Sequence, residues 1–354
     1  MYGKRMGKAV GKAGICLAGW ILFLLLAAEL ALADPAASSG AALATSTDLR
    51  AELATATDLS GGDPDRVEVT GARSHAGDTL LPTAQPPVLI DGLHGEDTSG
   101  FVFPAWSDVM EVCFPKIREC DACMIRLAGE TWLIDCGTEK MGASVVSMLE
   151  ERRVDRIDTL LLTHPHPDHA GGFRTVSDRF QVDRVLISFD EDENDTMKSL
   201  IRLCQERDIL VEHYFDGDGW RIGEAYLRAY IKSEEKDSVN DRSGLLRLQY
   251  RDRVMIFAGD LERKGLRMAG ENIPGKELAC DILKYPHHGK DPMVHEFWRH
   301  LHMRLAIVTS DDRARSGKAD MDSKGWPWAA TWDGPILLRT DGRTWVAQRI
   351  KEEE

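Results

Sequence analysis

Thr159-Leu-Leu-Leu-Thr-His-Pro-His-Pro-Asp-His-Ala-Gly-Gly172 ends an apolar run in three histidines and an aspartate: His164, His166, Asp168 and His169. Imidazole nitrogen and carboxylate oxygen are borderline donors, a set that suits Zn²⁺ and its neighbours. In an extended segment, residues two apart share a side, so His164 and His166 are expected to grip one ion together. Pro165 and Pro167 are expected to keep the segment extended, since each fixes its own φ and discourages helix in the residue before it. Asp168 and His169 then face elsewhere, towards a second ion, and Gly171 and Gly172 let the backbone turn closely beneath the cluster.

The missing ligands have to come from other strand ends. Gly244-Leu-Leu-Arg-Leu-Gln-Tyr250 and Val254-Met-Ile-Phe-Ala-Gly-Asp260 read as a hairpin around Arg251-Asp-Arg253. Asp260 emerges at its end, placed either to bridge two ions or to cap a turn. Asp281-Ile-Leu-Lys-Tyr-Pro-His-His-Gly289 repeats the logic, with His287 and His288 after an apolar strand. Adjacent strand side chains point to opposite faces, so one of the pair is expected to ligate and the other to support it or meet substrate.

The rest reads as an α/β layered protein. Strands are expected at 110–113, 123–127, 131–134, 154–163, 185–188, 211–215, 224–231 and 305–309, with a terminal hairpin around Asp341-Gly342. Helical spacing appears over 142–152 and 196–208. The acidic run from Asp190 to Asp195 reads as a solvated loop, with a Ca²⁺ site as the alternative.

Residues 1–13 carry Lys4, Arg5, Lys8 and Lys12 and no acid, and an apolar stretch runs from Gly14 to Ala33. That is the layout of a signal peptide ending at Ala31-Leu-Ala33, with an uncleaved membrane anchor as the competing reading. The expected location is therefore periplasmic or extracellular, or membrane-anchored with the catalytic domain outside. Residues 34–99 are expected to be a low-complexity spacer and 100–354 the globular domain. After residue 33 six cysteines remain, and Cys120-Asp-Ala-Cys123 is a lone Cys-x-x-Cys. It is expected to form a local disulfide or simple packing, with a redox or metal pair as the alternative.

The formal charge of −14 over 354 residues argues against a protein that coats nucleic acid, because phosphate affinity comes mainly from Lys and Arg. It leaves room for an enzyme that meets a small molecule or a nucleic-acid fragment through metal ions.

Taken together, Leu133-Ile-Asp-Cys-Gly137, Thr163-His-Pro-His-Pro-Asp-His169, Asn240 with Ser243, Gly259-Asp260 and Leu283-Lys-Tyr-Pro-His-His-Gly289 resemble metallo-β-lactamase-fold hydrolases. The branch resembled is the hydrolase domain of ComEC-type DNA-uptake proteins and their secreted single-domain relatives, over residues 108–347. The resemblance implies a four-layer αββα sandwich with two divalent ions, Zn²⁺ or else Mn²⁺, at the edge between the sheets. It places His164 and His166 on the first ion and Asp168 and His169 on the second. Asp260 would bridge them, and His287 or His288 would complete the second site. Thr163, Asp135 and Asp281 fall where hydrogen bonds orient ligands.

Two departures stand out. Between Gly172 and Asp260 many relatives outside this branch place a further ligand. Here the only histidine is His213, in a strand-like segment without metal-motif neighbours, so the first site is expected to be less fully occupied or filled by water. Lys290 stands where the branch commonly has Ser, which would favour anionic substrate groups. Lys284 and Arg247 are further candidate cations for a phosphate, and Trp326, Trp328 and Trp332 are candidates either to stack on a ring or to pack a loop.

The implied mechanism is metal-assisted hydrolysis by a hydroxide held between the ions and oriented by Asp168 or Asp260. Phosphodiesters are the leading substrate class. Lactones, carboxyl esters or phosphocholine esters are the alternative, and a non-catalytic secreted metal-binding or interaction module is the reading from another class.

Overall fold

The computed structural model describes residues 87–105, 108–311 and 316–350, all within the second of two units, Thr79–Glu354. The expected signal or anchor at 1–33, and the expected spacer as far as residue 86, lie outside the described residues. Among the described residues no helix is long and apolar enough to cross a membrane.

Two mixed sheets carry the fold. One is nine-stranded, in the order β1 (Leu89–Asp91), β18 (Trp345–Arg349), β17 (Ile336–Thr340), β2 (Met110–Phe114), β3 (Ala122–Leu127), β4 (Glu130–Cys136), β6 (Thr159–Leu161), β8 (Arg184–Ile187), β9 (Leu210–His213). The other has seven strands: β10 (Gly219–Ile222), β11 (Ala225–Tyr230), β12 (Leu245–Tyr250), β13 (Arg253–Phe257), β14 (Ile282–Lys284), β15 (Leu305–Val308), β16 (Trp328–Ala330). A two-stranded ribbon pairs β5 (Arg156–Ile157) with β7 (Gln181–Val182). The helices are α1 (Gly142–Glu151), α2 (Pro167–Ala170), α3 (Phe173–Arg179), α4 (Asp195–Glu206), α5 (Arg263–Asn272), α6 (Gly275–Leu278), α7 (His295–Trp298) and α8 (Ser316–Ser323).

Three apolar cores set the layering. Ile125, Trp132 and Ile134 meet Leu246, Leu248 and Phe257 between the sheets, with the rings of Phe114 and Phe257 6.4 Å apart. On the outer face of the nine-stranded sheet, Met124, Leu133 and Leu160 pack against Val145 and Leu149 of α1, Phe173 of α3 and Leu200 of α4. On the outer face of the other sheet, Ile256, Leu283 and Val308 pack against Leu266 of α5, Phe297 of α7 and Met321 of α8. Central strands such as β4, β13 and β15 are thus apolar on both faces, which is why they read as continuous hydrophobic runs. The protein is an α/β sandwich with helices on both outer faces.

Several local expectations change. β1 lies in the segment read as spacer, yet it pairs in parallel with β18, and Leu89 packs on the inter-sheet core. Pro167 does not prolong an extended segment: it opens α2, because the first helical position needs no N–H and welcomes its fixed φ. His287 and His288 do not alternate along a strand either. They occupy a left-handed turn after β14, at φ 47°, ψ 45° and φ 52°, ψ 24°. The six described cysteines are buried and free. Cys120, before β3, belongs to the outer core and Cys123, in β3, to the inter-sheet core.

Candidate metal centre

The donor residues gather where parallel strands end. β4, β6 and β8 run parallel, as do β13, β14 and β15. Asp135 lies at the end of β4 itself, and the segments that follow β6, β13, β14 and β15 carry His164 to His169, Asp260, His287–His288 and Thr309. Crevices at the carboxyl ends of strands in such sheets are where ligands bind. Hydrogen bonds stitch the two sheets together there: Gly244 N donates to Thr163 O at 2.9 Å and Glu119 N to Thr309 O at 2.9 Å.

The histidine loop is held from outside. Asn194, at the end of the acidic run, donates to Pro165 O at 2.7 Å while accepting from Met197 N at 3.0 Å as the cap of α4. The run is therefore a loop that braces the motif, with Glu193 paired to Arg242. Beneath the motif the backbone passes very close: a Cβ on Gly172 would lie 2.0 Å from Cys136 O, and one on Gly171 would lie 2.3 Å from Pro167 O. Only glycine fits at either place.

Two groups of donors result, each with its atoms within 4.8 Å of one another: His164, His166 and Asp168, and Asp168, His169, Asp260 and His288. Asp168 is common to both. Asp260 Oδ2 lies 3.2 Å from His288 Nε2 and 4.0 Å from His164 Nε2. His288 belongs to the second group, whereas His287 turns to Asp291, with Nδ1 3.1 Å from its Oδ2. Asp121, Asp135 and His169 form a third buried cluster behind the second group.

Each imidazole of the second group has a carboxylate at its back. Asp135 Oδ2 is 2.8 Å from His169 Nδ1, and Asp135 in turn accepts from the N and Oγ1 of Thr163, both at 2.8 Å. Asp121 Oδ1 is 3.1 Å from His288 Nδ1 and accepts from Thr309 Oγ1 at 2.5 Å. Its other oxygen takes an ion pair from Lys284, whose Nζ also donates to Gly259 O at 3.0 Å and stands 3.8 Å from Asp260 Oδ1.

Electrostatics follow from this crowding. Burial opposes charge on His169, yet the carboxylates of Asp260, Asp135 and Asp121 outweigh it and raise its pKa well above the usual imidazole range. His288 behaves alike, with Asp260 and Asp121 prevailing over burial. His164 is pushed down by burial and by its neighbour His169. Burial would raise Asp168, but the hydrogen bond from His288 and the charges of His169 and His288 hold its carboxyl far below the usual range.

The chemistry of the set fits divalent ions. The carboxylates of Asp121, Asp135, Asp168 and Asp260 converge on this region, and Lys284 is the one lysine buried among them. His169 Nε2 and Asp260 Oδ1 are buried without a hydrogen-bond partner although only 3.3 Å apart. Orphaned buried donors and acceptors are costly unless something else satisfies them, and a cation between them would.

Other expected site residues stand elsewhere or act differently. Asp281 accepts from Arg253 NH1 at 3.0 Å and Val254 N at 2.9 Å, so it ties β13 to β14 rather than orienting a donor. Lys284 is only 2% exposed and serves Asp121, not an incoming phosphate. Arg247 pairs with Glu277 of α6. Ser243 Oγ accepts from Asp260 N at 3.2 Å, whereas Asn240 donates to Glu262 Oε1 at 2.8 Å. Lys290 Nζ lies 3.2 Å from His287 Nε2, with no carboxylate in ion-pair range among the described residues. His213 is exposed on the edge strand β9. Trp326 packs edge-on against Trp298, Trp328 donates to Asp322, and Arg118 covers Trp332.

Asp121 and Thr309 are barely marked in the sequence. Asp121 sits inside the Cys-x-x-Cys, and its only local signal is a carboxylate before an apolar strand. Thr309 carries no signal beyond its place at a strand end.

Residues 117–194 match the metallo-beta-lactamase superfamily. The chain is 26% identical over 177 residues to the ComE operon protein 3 of Bacillus subtilis, covering 48% of this chain and 22% of that protein. The match thus spans about a fifth of the relative's length. Similar solved structures include the metallo-beta-lactamase fold protein YhfI from Bacillus subtilis, with 10% identity, TM-score 0.41, 63% of this chain and 96% of that one. Another is CmlA, a diiron beta-hydroxylase from Streptomyces venezuelae, with 16% identity, TM-score 0.45, 68% of this chain and 55% of that one. The superfamily match over residues 117–194, joined to the two donor groups built on its histidine motif, supports classing this chain as a metallo-hydrolase of the metallo-β-lactamase superfamily.

Proposed function

We propose that the hydrolase acts on phosphodiester bonds, as its resemblance to ComEC-type hydrolase domains suggests. The observation that carries this reading is Lys290 beside the donor groups. Its Nζ is 3.2 Å from His287 Nε2, which is 4.0 Å from Asp260 Oδ2. An ammonium with no carboxylate in ion-pair range among the described residues is therefore within about 7 Å of the centre, near enough to attract an anionic substrate. A carboxyl ester or lactone offers it nothing.

His164, His166 and Asp168 would hold one divalent ion, and Asp168, His169, Asp260 and His288 the other. The mixed imidazole and carboxylate set suits Zn²⁺, with Mn²⁺ the alternative. Such ions, when bound, supply Lewis-acid polarisation of the scissile group and acidify water. The chain's own part is orientation and charge. Asp168, whose side chain is 25% exposed, presents a carboxylate at the mouth that can orient attacking water. Asp121 and Asp135 fix the rings of His288 and His169. Lys290 draws in the phosphate, and His287, tied to Asp291, walls that side. Export fits the composition of residues 1–33, and the substrate would be a small molecule or nucleic-acid fragment.

The test is a panel of bis(p-nitrophenyl) phosphate, single-stranded DNA, p-nitrophenyl acetate and a lactone, with Zn²⁺ or Mn²⁺, on the wild type and Asp168→Ala. Phosphodiester cleavage that disappears in Asp168→Ala is the expected result. Cleavage of esters or lactones alone refutes it.

A further inference from the structure

The two donor groups are supported very unequally. The group of Asp168, His169, Asp260 and His288 has four donor residues, and three of them are 1% exposed or less. Both of its imidazoles are fixed from behind by buried carboxylates, His169 by Asp135 and His288 by Asp121. Asp121 is itself held on both oxygens, by Thr309 and by Lys284. The backbone adds to this: His288 is pinned in a left-handed turn, and Asp260 N is anchored on Ser243 Oγ.

The group of His164, His166 and Asp168 has three donor residues, and His166 and Asp168 are partly exposed. Among the described residues no carboxylate hydrogen-bonds to either His164 or His166. His164 Nδ1 meets only a hydroxyl, Thr163 Oγ1 at 3.3 Å, and its Nε2 lies 3.1 Å from His166 Nδ1. Preorganised, buried donors lose less freedom when they take an ion, and a carboxylate behind an imidazole raises its basicity as a ligand.

We propose that the centre binds its two ions with unequal affinity. The buried group at Asp168, His169, Asp260 and His288 loads first and tightly; the His164–His166 group takes a second, exchangeable ion beside the mouth. Asp121, backed by Lys284, is a positioning residue for the buried group alone. This rests on the two-ion reading of the site but not on the choice of phosphodiester as substrate.

The experiment is a calorimetric titration of the full chain, stripped by chelator, with Zn²⁺ alone. The wild type should show two steps of one ion each. His166→Ala should keep the tighter step and lose the weaker. Asp121→Asn should weaken the tighter step about 10–100-fold and leave the weaker one in place, a split that a general loss of structure would not produce. Two equal steps in the wild type, loss of the tighter step in His166→Ala, or an unchanged tighter step in Asp121→Asn overturns the proposal. Should Asp121→Asn fail to fold, the partly exposed His166→Ala still decides it. Absence of phosphodiester cleavage would leave all these outcomes standing.

Discussion

Replacing Gly172 by alanine isolates one steric demand of the metal loop. Gly172 has φ −76° and ψ −6°, a right-handed conformation open to any residue, so alanine suffers no backbone penalty there. Through the unfolded chain it should even gain about 0.4–1 kcal/mol. Against this, the new Cβ would stand 2.0 Å from Cys136 O and 3.3 Å from Thr138 O, both backbone atoms. Restoring an ordinary carbon contact of roughly 3.5 Å requires the loop to retreat by about 1.5 Å. That retreat also strains the hydrogen bond from Gly172 N to Gly137 O, now 2.9 Å. Overpacking of this kind costs about 1–3 kcal/mol, leaving a net loss of about 1–2 kcal/mol. For a domain of this size that lowers Tm by about 2–8 °C. Because α2, with Asp168 and His169, directly precedes Gly172, the displacement exceeds the roughly 0.5 Å that a preorganised site tolerates, and metal affinity should fall with it. The assay is thermal unfolding of metal-free protein plus chelator competition, with Gly100→Ala as control, since nothing lies within 4 Å of a Cβ there. A Gly172→Ala variant that melts within 1 °C of wild type (roughly the spread expected of a neutral substitution) and binds metal as tightly would refute the reasoning.

Three further outcomes are expected. Lys284→Met strands the buried Asp121 carboxylate and should cost about 3–5 kcal/mol in urea unfolding of the metal-free protein; adding Asp121→Asn should recover part of that, and strict additivity would show the pair is not coupled. Asp281→Ala removes the hydrogen bonds from Arg253 and Val254 and should cost about 1–3 kcal/mol of stability while leaving metal stoichiometry unchanged; a loss of bound metal would return Asp281 to the centre. Lys290→Gln should raise KM for bis(p-nitrophenyl) phosphate about threefold to tenfold without affecting a neutral ester; equal effects on both would remove its role in meeting an anion.

Local patterns carried much of this protein. The α/β layered class was legible because apolar strand-like runs alternate with segments of helical spacing, as in β4 and α4, and the sandwich followed from the family resemblance. The donor-rich segments were legible because they are short and contiguous, with His164 to His169 and the His287–His288 pair each packed into a few positions. The tight turn at Gly171–Gly172 could also be read, since only glycine suits such an approach.

Tertiary structure decided what depends on separation along the chain. Asp121 and Lys284 meet across the two sheets, and no spacing within either segment announces a contact 163 residues apart. His288 rather than His287 joins the buried donors because the turn after β14 is left-handed, not because strand faces alternate. Asp281, just before β14, and Lys284, at its end, are three residues apart yet finish in unlike places: one ties β13 to β14, the other is buried beneath the centre. Sequence by itself determined which donors exist and that they close strands. Which of them gather into one group, and which carboxylates hold them in place, was decided by the packing of the two sheets, because hydrogen bonds and ion pairs follow distance in space and not distance along the chain.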